Sequence, residues 1–88
     1  AILSLKDLEE CYRFFDDLCT FSEIQSMTQR LQVAEMLEAG NTFAQISKEI
    51  GVSSATITRV NKCISYGADG YKIVLDRMKE KRESGKNA

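Results

Sequence analysis

An all-α fold is what this 88-residue sequence predicts, and three observations carry it. Proline is absent, apolar residues recur at spacings of three and four over long segments, and strand-like alternation is missing. About five to six helices account for the pattern, two of them joined as a helix-turn-helix. A chain of this length forms one domain and buries only roughly 60 to 65% of the surface that its unfolded form exposes. Its hydrophobic share of 43% is ordinary for a folded domain.

The elements follow in order. Ser4 and Asp7 have the spacing of a capping box, which starts a helix near Leu5. Leu5, Leu8, Tyr12 and Phe15 line one stripe of that helix, with Cys11, Phe14 and Leu18 in a second stripe beside it. Thr20 and Glu23 form another capping box and open a long helix. Its seam is Ile24, Met27, Leu31 and Ala34, flanked by Val33, Met36 and Leu37, and Gly40 ends it. Two helices with such wide apolar faces carry more apolar surface than so short a chain covers by itself. Residues 5–39 are therefore expected to be dimerisation helices; the alternative is that they pack only on the C-terminal helices of the same chain.

After Gly40 the segments shorten. Thr42 caps a helix of about eight residues ending at Ile50, Gly51 marks a turn, and Ser53 or Ser54 caps a helix that runs to about Tyr66. Gly67 closes that helix, and Asp69 is a candidate cap for the last, whose face is Tyr71, Val74, Leu75 and Met78. The organisation is thus one domain over 1–88, with a helix-turn-helix at 42–66 and a C-terminal helix at 69–82. The tail 83–88 has no apolar anchor and is expected to fray.

Composition narrows the function classes. No apolar run has the length of a membrane span, and the first residues lack the pattern of a secretory signal, so a cytoplasmic protein with no membrane partner is expected. Three cysteines (Cys11, Cys19 and Cys63) form no C-x-x-C pair, and there is no histidine to complete a common zinc site. They read as reduced core thiols, with no metal and no cofactor. Without histidine, a glycine-rich phosphate loop or a clustered carboxylate pair, an enzyme is not expected; Asp16 and Asp17 read as surface.

The net charge of −1 hides an asymmetry. Residues 1–38 carry three basic and eight acidic side chains, whereas residues 39–88 carry nine basic and five acidic ones. A basic C-terminal half fits a face for phosphate, although a solvated mixed surface has the same balance.

The informative stretch is residues 42–63, TFAQISKEIGVSSATITRVNKC. Two short helices joined at an angle need a glycine at the turn and apolar residues at fixed offsets. Gly51 supplies the turn; Ile46, Ile50, Val52, Ile57 and Val60 fit the inward positions, and Ser47 stands where a small apolar residue is more usual. With Ile57, Val60 and Ile64 inward, 100° per residue puts Ala55, Thr58, Arg59 and Lys62 on the opposite face, with Ser54 and Thr56 at its edges. Small side chains let the helix backbone sink into a major groove, where methyl and hydroxyl groups meet base edges. Lys48, Lys62 and the amides at the helix start near Ser53 suit phosphate. An ordinary helical hairpin with a solvated polar face is the competing reading of the same pattern.

The run EIGVSSATITR, residues 49–59, resembles the turn and recognition helix of the Trp repressor superfamily. SLKDLEECYRFFDDLCT near the start and NKCISYGADGYKIVLDR at 61–77 resemble its YerC/YecD-type branch, so the likeness spans nearly the whole chain. It implies an intertwined homodimer whose N-terminal helices interlock and whose two helix-turn-helix units read a near-palindromic double-stranded DNA operator, as a transcriptional regulator of repressor type. It also implies a ligand pocket, since the archetype of the superfamily is switched by tryptophan held between two arginines. Arg59 matches one of these; the other falls on Gln29, with Arg30 adjacent. Val60 takes the place of a glycine beside the ligand, and Cys63 that of a serine that binds its amino group. Three departures at one pocket point to no small-molecule effector or to one other than tryptophan. A reading of another class keeps the helix-turn-helix as a scaffold in a protein-interaction module.

Overall fold

Side-chain caps set the helix boundaries in the structure, a computed structural model that describes residues 1–86. A single 3-10 turn over Ile2–Ser4 precedes α1 (Leu8–Leu18), which begins later than the Ser4/Asp7 spacing suggests. Leu5 is extended, and Asp7 is the cap: its Oδ1 accepts from the Glu10 amide at 2.9 Å, while Glu10 Oε1 accepts from the Lys6 amide at 3.0 Å. Two overlapping capping patterns compete here. The later one wins because a carboxylate cap, followed by Glu9 and Glu10, sits at the positive end of the helix dipole.

The next boundaries fall where the residues place them. In front of α2 (Phe21–Glu38), Thr20 Oγ1 accepts from the Glu23 amide and Glu23 Oε1 accepts from the Thr20 amide at 2.8 Å. That backbone hydrogen bond, followed by the one with the Thr20 side chain, holds the Glu23 carboxyl below its ordinary value of 4.5. The helix closes with Gly40 at φ 90°; its amide donates to the Leu37 carbonyl at 3.1 Å, and the Asn41 amide to the Met36 carbonyl at 3.0 Å. Thr42 and Gln45 form a second complete capping box at α3 (Phe43–Ile50), and Ser53 caps α4 (Ser54–Tyr66) by accepting from the Thr56 amide.

The last helix, α5 (Gly70–Lys86), opens with the Ile73 amide donating to the Asp69 carbonyl at 3.0 Å. It runs past Arg82, where the sequence suggested an end, so residues 83–86 are helical rather than frayed. Lys79 to Glu83 are strong helix formers, and the Lys79/Glu83 spacing of four suits an ion pair along a helix. Residues 87 and 88, the rest of the expected tail, lie outside the described residues.

Val33 and Ala34 of α2, Ile46 of α3, Val52 of the turn that follows it, Ile57 and Val60 of α4, and Leu75 of α5 make the core. Leu31, Met36, Leu37, Ile50, Ile64, Tyr71 and Met78 pack around it. α2 is the central element, lying against α3, α4 and α5, while α4 also meets α3 and α5. α1 stands apart, with no buried residue and no extensive contact with another helix. The radius of gyration reflects this: 14.6 Å, against about 12 Å for a compact chain of this length.

The cysteines do not occupy the core, contrary to the expectation from sequence. Cys11 and Cys19 are half-buried and Cys63 is exposed, all three as free thiols. Cys11 belongs to the helix that packs on little, and Cys63 lies where α4 gives way to the link into α5. No described helix is long and apolar enough to cross a membrane, and the described residues hold no group of three or more metal-ligating side chains.

Candidate nucleic-acid interface

The unit that presents the candidate interface is α3, the Gly51 turn and α4. Gly51 sits at φ 80°, and its amide donates to the Ser47 carbonyl at 2.9 Å, so the chain leaves α3 in the left-handed region that glycine adopts without strain. Ser47, the one unusual residue of the pattern, is satisfied where it stands: its hydroxyl donates to the Val52 carbonyl at 2.9 Å across the turn. A methyl group there would leave that carbonyl without this partner. Ile46, Val52, Ile57 and Val60 are buried and Ile50 is half-buried, so the inward positions read from the sequence are the inward positions of the fold.

Burial of Ile57 and Val60 fixes what faces out. Ser54, Ala55, Thr58, Arg59 and Lys62 are all exposed on α4, over three turns of one side. Thr56 is half-buried instead, with its Oγ1 3.3 Å from Ser53 Oγ, and its backbone amide donates to the same hydroxyl. Ser53 and Thr56 therefore shape the helix start. The amides of Ser54 and Ala55 precede the first intrahelical bond and point outward from the positive end of the helix dipole.

Lys48 is exposed in the last turn of α3, beside a shallow depression shared with Asn41, Gln45 and Glu49. Among the described residues no carboxylate lies within ion-pair distance of Lys48, Arg59 or Lys62; the ion pair found, Arg13 to Glu9 at 2.8 Å, is on α1. Three cations thus flank a surface of small and hydroxylated side chains, a combination that suits an anionic backbone at the rim and base edges at the centre.

One residue of this surface escaped the reading of the sequence. Asn61 is exposed and lies seven residues after Ser54, hence on the same edge of α4. Its signal was available in that spacing.

The residues of the implied ligand pocket fall in different surroundings. Gln29 and Arg30 are half-buried on α2, and Gln29 lines a polar cavity with Gln32, Glu35 and Glu49. Arg59 is exposed, and Val60, only 1% exposed, is part of the core. Cys63 borders a separate apolar cavity with Leu31, Tyr71 and Val74.

With this geometry in place, known proteins supply the kinship. A family model described as Trp repressor protein matches residues 1–79. The chain belongs to that family. The family is one of regulators rather than enzymes, and its fold is the one described above. YerC of Bacillus subtilis (strain 168), an uncharacterized protein, is 65% identical over 80 residues, which span 91% of this chain and 77% of YerC. Two solved structures are similar throughout, each with a TM-score of 0.83 over 89% of this chain. One is a Trp repressor candidate from Staphylococcus aureus, 56% identical and covered over 78% of its length. The other is a TrpR-like protein from Eubacterium eligens ATCC 27750, 52% identical and covered over 80%.

Proposed function

We propose that this protein is a sequence-specific DNA-binding transcriptional regulator of repressor type, acting as a homodimer in the cytoplasm. The observation that carries the reading is the outer face of α4, where Ser54, Ala55, Thr58, Arg59 and Lys62 are exposed opposite the buried pair Ile57 and Val60. Short side chains allow close approach of the helix to base edges, with the Thr58 hydroxyl and the Ala55 methyl as readers. Arg59, Lys62 and Lys48 supply phosphate contacts, together with the open amides of Ser54 and Ala55.

Dimer formation rests on α1. A helix that leaves Leu8, Tyr12 and Leu18 exposed calls for a second surface, and a two-fold dimer sets two recognition helices roughly 34 Å apart, the spacing of successive major grooves on one side of B-DNA. The operator is then a near-palindrome. Any effector differs from tryptophan in chemistry, because Gln29 and Val60 leave Arg59 without the second arginine and the glycine of the archetypal pocket.

The test is retention of fragmented genomic DNA by the purified protein at physiological salt, with and without tryptophan and its precursors, followed by sequencing. Enrichment of a shared palindromic motif, with affinity that falls steeply as salt rises, is the expected result. No enrichment under any condition, from a folded protein, overturns the reading and turns attention to a protein-interaction module.

A further inference from the structure

The exposed face of α4 carries short side chains where bases are to be read, and that moves a demand onto the backbone. A cation on a long flexible stem reaches a phosphate from many helix positions. The Ala55 methyl and the Thr58 hydroxyl reach a base edge only where the helix axis itself is correctly placed. A helix rises about 1.5 Å per residue, so a tilt of about 10° at the start of α4 moves residue 58 by about 1 Å and residue 62 by about 2 Å. Hydrogen-bond lengths vary by only about half an ångström. Whatever fixes the angle between α3 and α4 therefore decides how well a sequence is discriminated.

Three residues, 51–53, join the two helices. Gly51 offers no steric stop, since nothing lies within 4 Å of where its Cβ would be; its amide is held instead by the Ser47 carbonyl at 2.9 Å. Val52 has its side chain anchored in the core, which fixes its place but leaves the peptide plane between Val52 and Ser53 free to turn. The Ser47 hydroxyl stops that turn by donating to the Val52 carbonyl at 2.9 Å. Among the described residues no backbone amide donates to that carbonyl. Ser53 is tied to α4 as its cap, through the Thr56 amide. Ser47 thus grips Gly51 with its main chain and Val52 with its side chain, and the second bond holds the peptide from which α4 departs.

We propose that Ser47 is a positioning residue for operator recognition: its hydroxyl, through the Val52 carbonyl, sets the angle at which α4 enters the major groove. This rests on the DNA-binding reading of α4 and assigns sequence discrimination to a half-buried side chain that faces the turn rather than the groove. Alanine at this position keeps the close packing of the two helices and is a strong helix former, so its effect falls on orientation.

Two measurements on the full chain test it. The first compares a duplex carrying the motif enriched from genomic DNA with a scrambled duplex. In Ser47→Ala the affinity for the motif falls roughly tenfold, while affinity for the scrambled duplex changes by less than about twofold, because phosphate contacts survive a small tilt. Leu75→Val, a destabilised control in the core of α5, keeps the wild-type ratio of the two affinities. The second measures residual dipolar couplings of the backbone amides. One alignment fits α3 and α4 in the wild type; in Ser47→Ala the couplings of α4 depart from those of α3. Ser47→Cys, close in size with a weaker donor, falls between the two and carries the test if Ser47→Ala does not fold. An unchanged affinity ratio, or couplings in which α3 and α4 keep their wild-type orientation, overturns the positioning role while leaving DNA binding intact. A wild-type protein that enriches no motif overturns the DNA-binding reading and this role with it.

Discussion

The α1 arm and the helix-turn-helix obey the same helical periodicity, yet they bury their apolar faces in opposite ways. α1 is the more sharply amphipathic of the two and buries no residue completely. α3 and α4 have shorter apolar stripes, and Ile46, Ile57 and Val60 are all but inaccessible to water. Amphipathicity states how much surface must be covered; it does not state by what. The helix-turn-helix finds its cover within the chain, against Val33 and Ala34 of α2. The arm finds only partial cover, at Cys11, Phe14 and Phe15, and leaves Leu8, Tyr12 and Leu18 exposed.

The contrast breaks first at Ile46. Ile46→Ala removes methyl groups from a site with no solvent access and costs about 2–5 kcal/mol in urea unfolding. Leu8→Ala, measured at concentrations low enough to hold the protein monomeric, costs within about 0.5 kcal/mol. Equal losses from the two substitutions would mean that α1 is packed within its own chain.

Two glycines sharpen it next. A Cβ at Gly67 would lie 2.3 Å from the Cys63 carbonyl oxygen, a backbone atom that cannot step aside. At Gly51 nothing lies within 4 Å, and the obstacle is only the φ of 80°. Gly51→Ala therefore costs about 1–2 kcal/mol of left-handed backbone energy. Gly67→Ala costs more and displaces α5, which thermal melts and the accessibility of Cys63 to a thiol reagent will report.

A smaller effect separates capping from recognition. Ser53→Ala removes the acceptor for the Thr56 amide and costs about 1 kcal/mol of stability. Ser54→Ala leaves stability nearly unchanged, because that side chain is exposed and makes no hydrogen bond among the described residues. Under the DNA-binding reading, Ser54→Ala instead lowers operator affinity, seen in a titration with labelled duplex.

The smallest effect is at the start of α2. The folded-state value of Glu23 is lowered by its bonds with Thr20, so its contribution is complete above the unfolded value. It is lost as pH falls from about 4.5 through the lowered folded value. Glu23→Gln removes that part of the acid sensitivity, which stability curves of the two proteins between neutral pH and pH 3, compared at about equal ionic strength, will show.

Much of this architecture is legible from the residues. The paired signals at Thr20 and Glu23, at Thr42, at Gly51 and at Ser53 each fix a helix end through a local hydrogen bond, so no distant part of the chain can overrule them. The start of α1 was less legible because Ser4/Asp7 and Asp7/Glu10 offer two caps in overlapping windows, and only their relative energies choose between them. Cys63 was misplaced for a different reason. Its helical phase puts it beside the inward stripe, but the chain leaves α4 four residues later and α5 does not cover it. On the candidate interface, the exposure of Ser54, Ala55, Thr58, Arg59 and Lys62 was readable because helical phase is set by Ile57 and Val60; Thr56, read at the edge of that face, is half-buried with its hydroxyl beside Ser53.

The sequence by itself determined the helices, their order, the glycine turn and the polar side of α4, because each depends on interactions spanning about one helical turn. Only the tertiary structure decided which apolar stripes are satisfied. Cover for a side chain comes from residues far along the chain, whose positions depend on how α2 threads between α3, α4 and α5. That packing buries Val33 and Ile57 to completion and leaves Leu8 and Tyr12 in water.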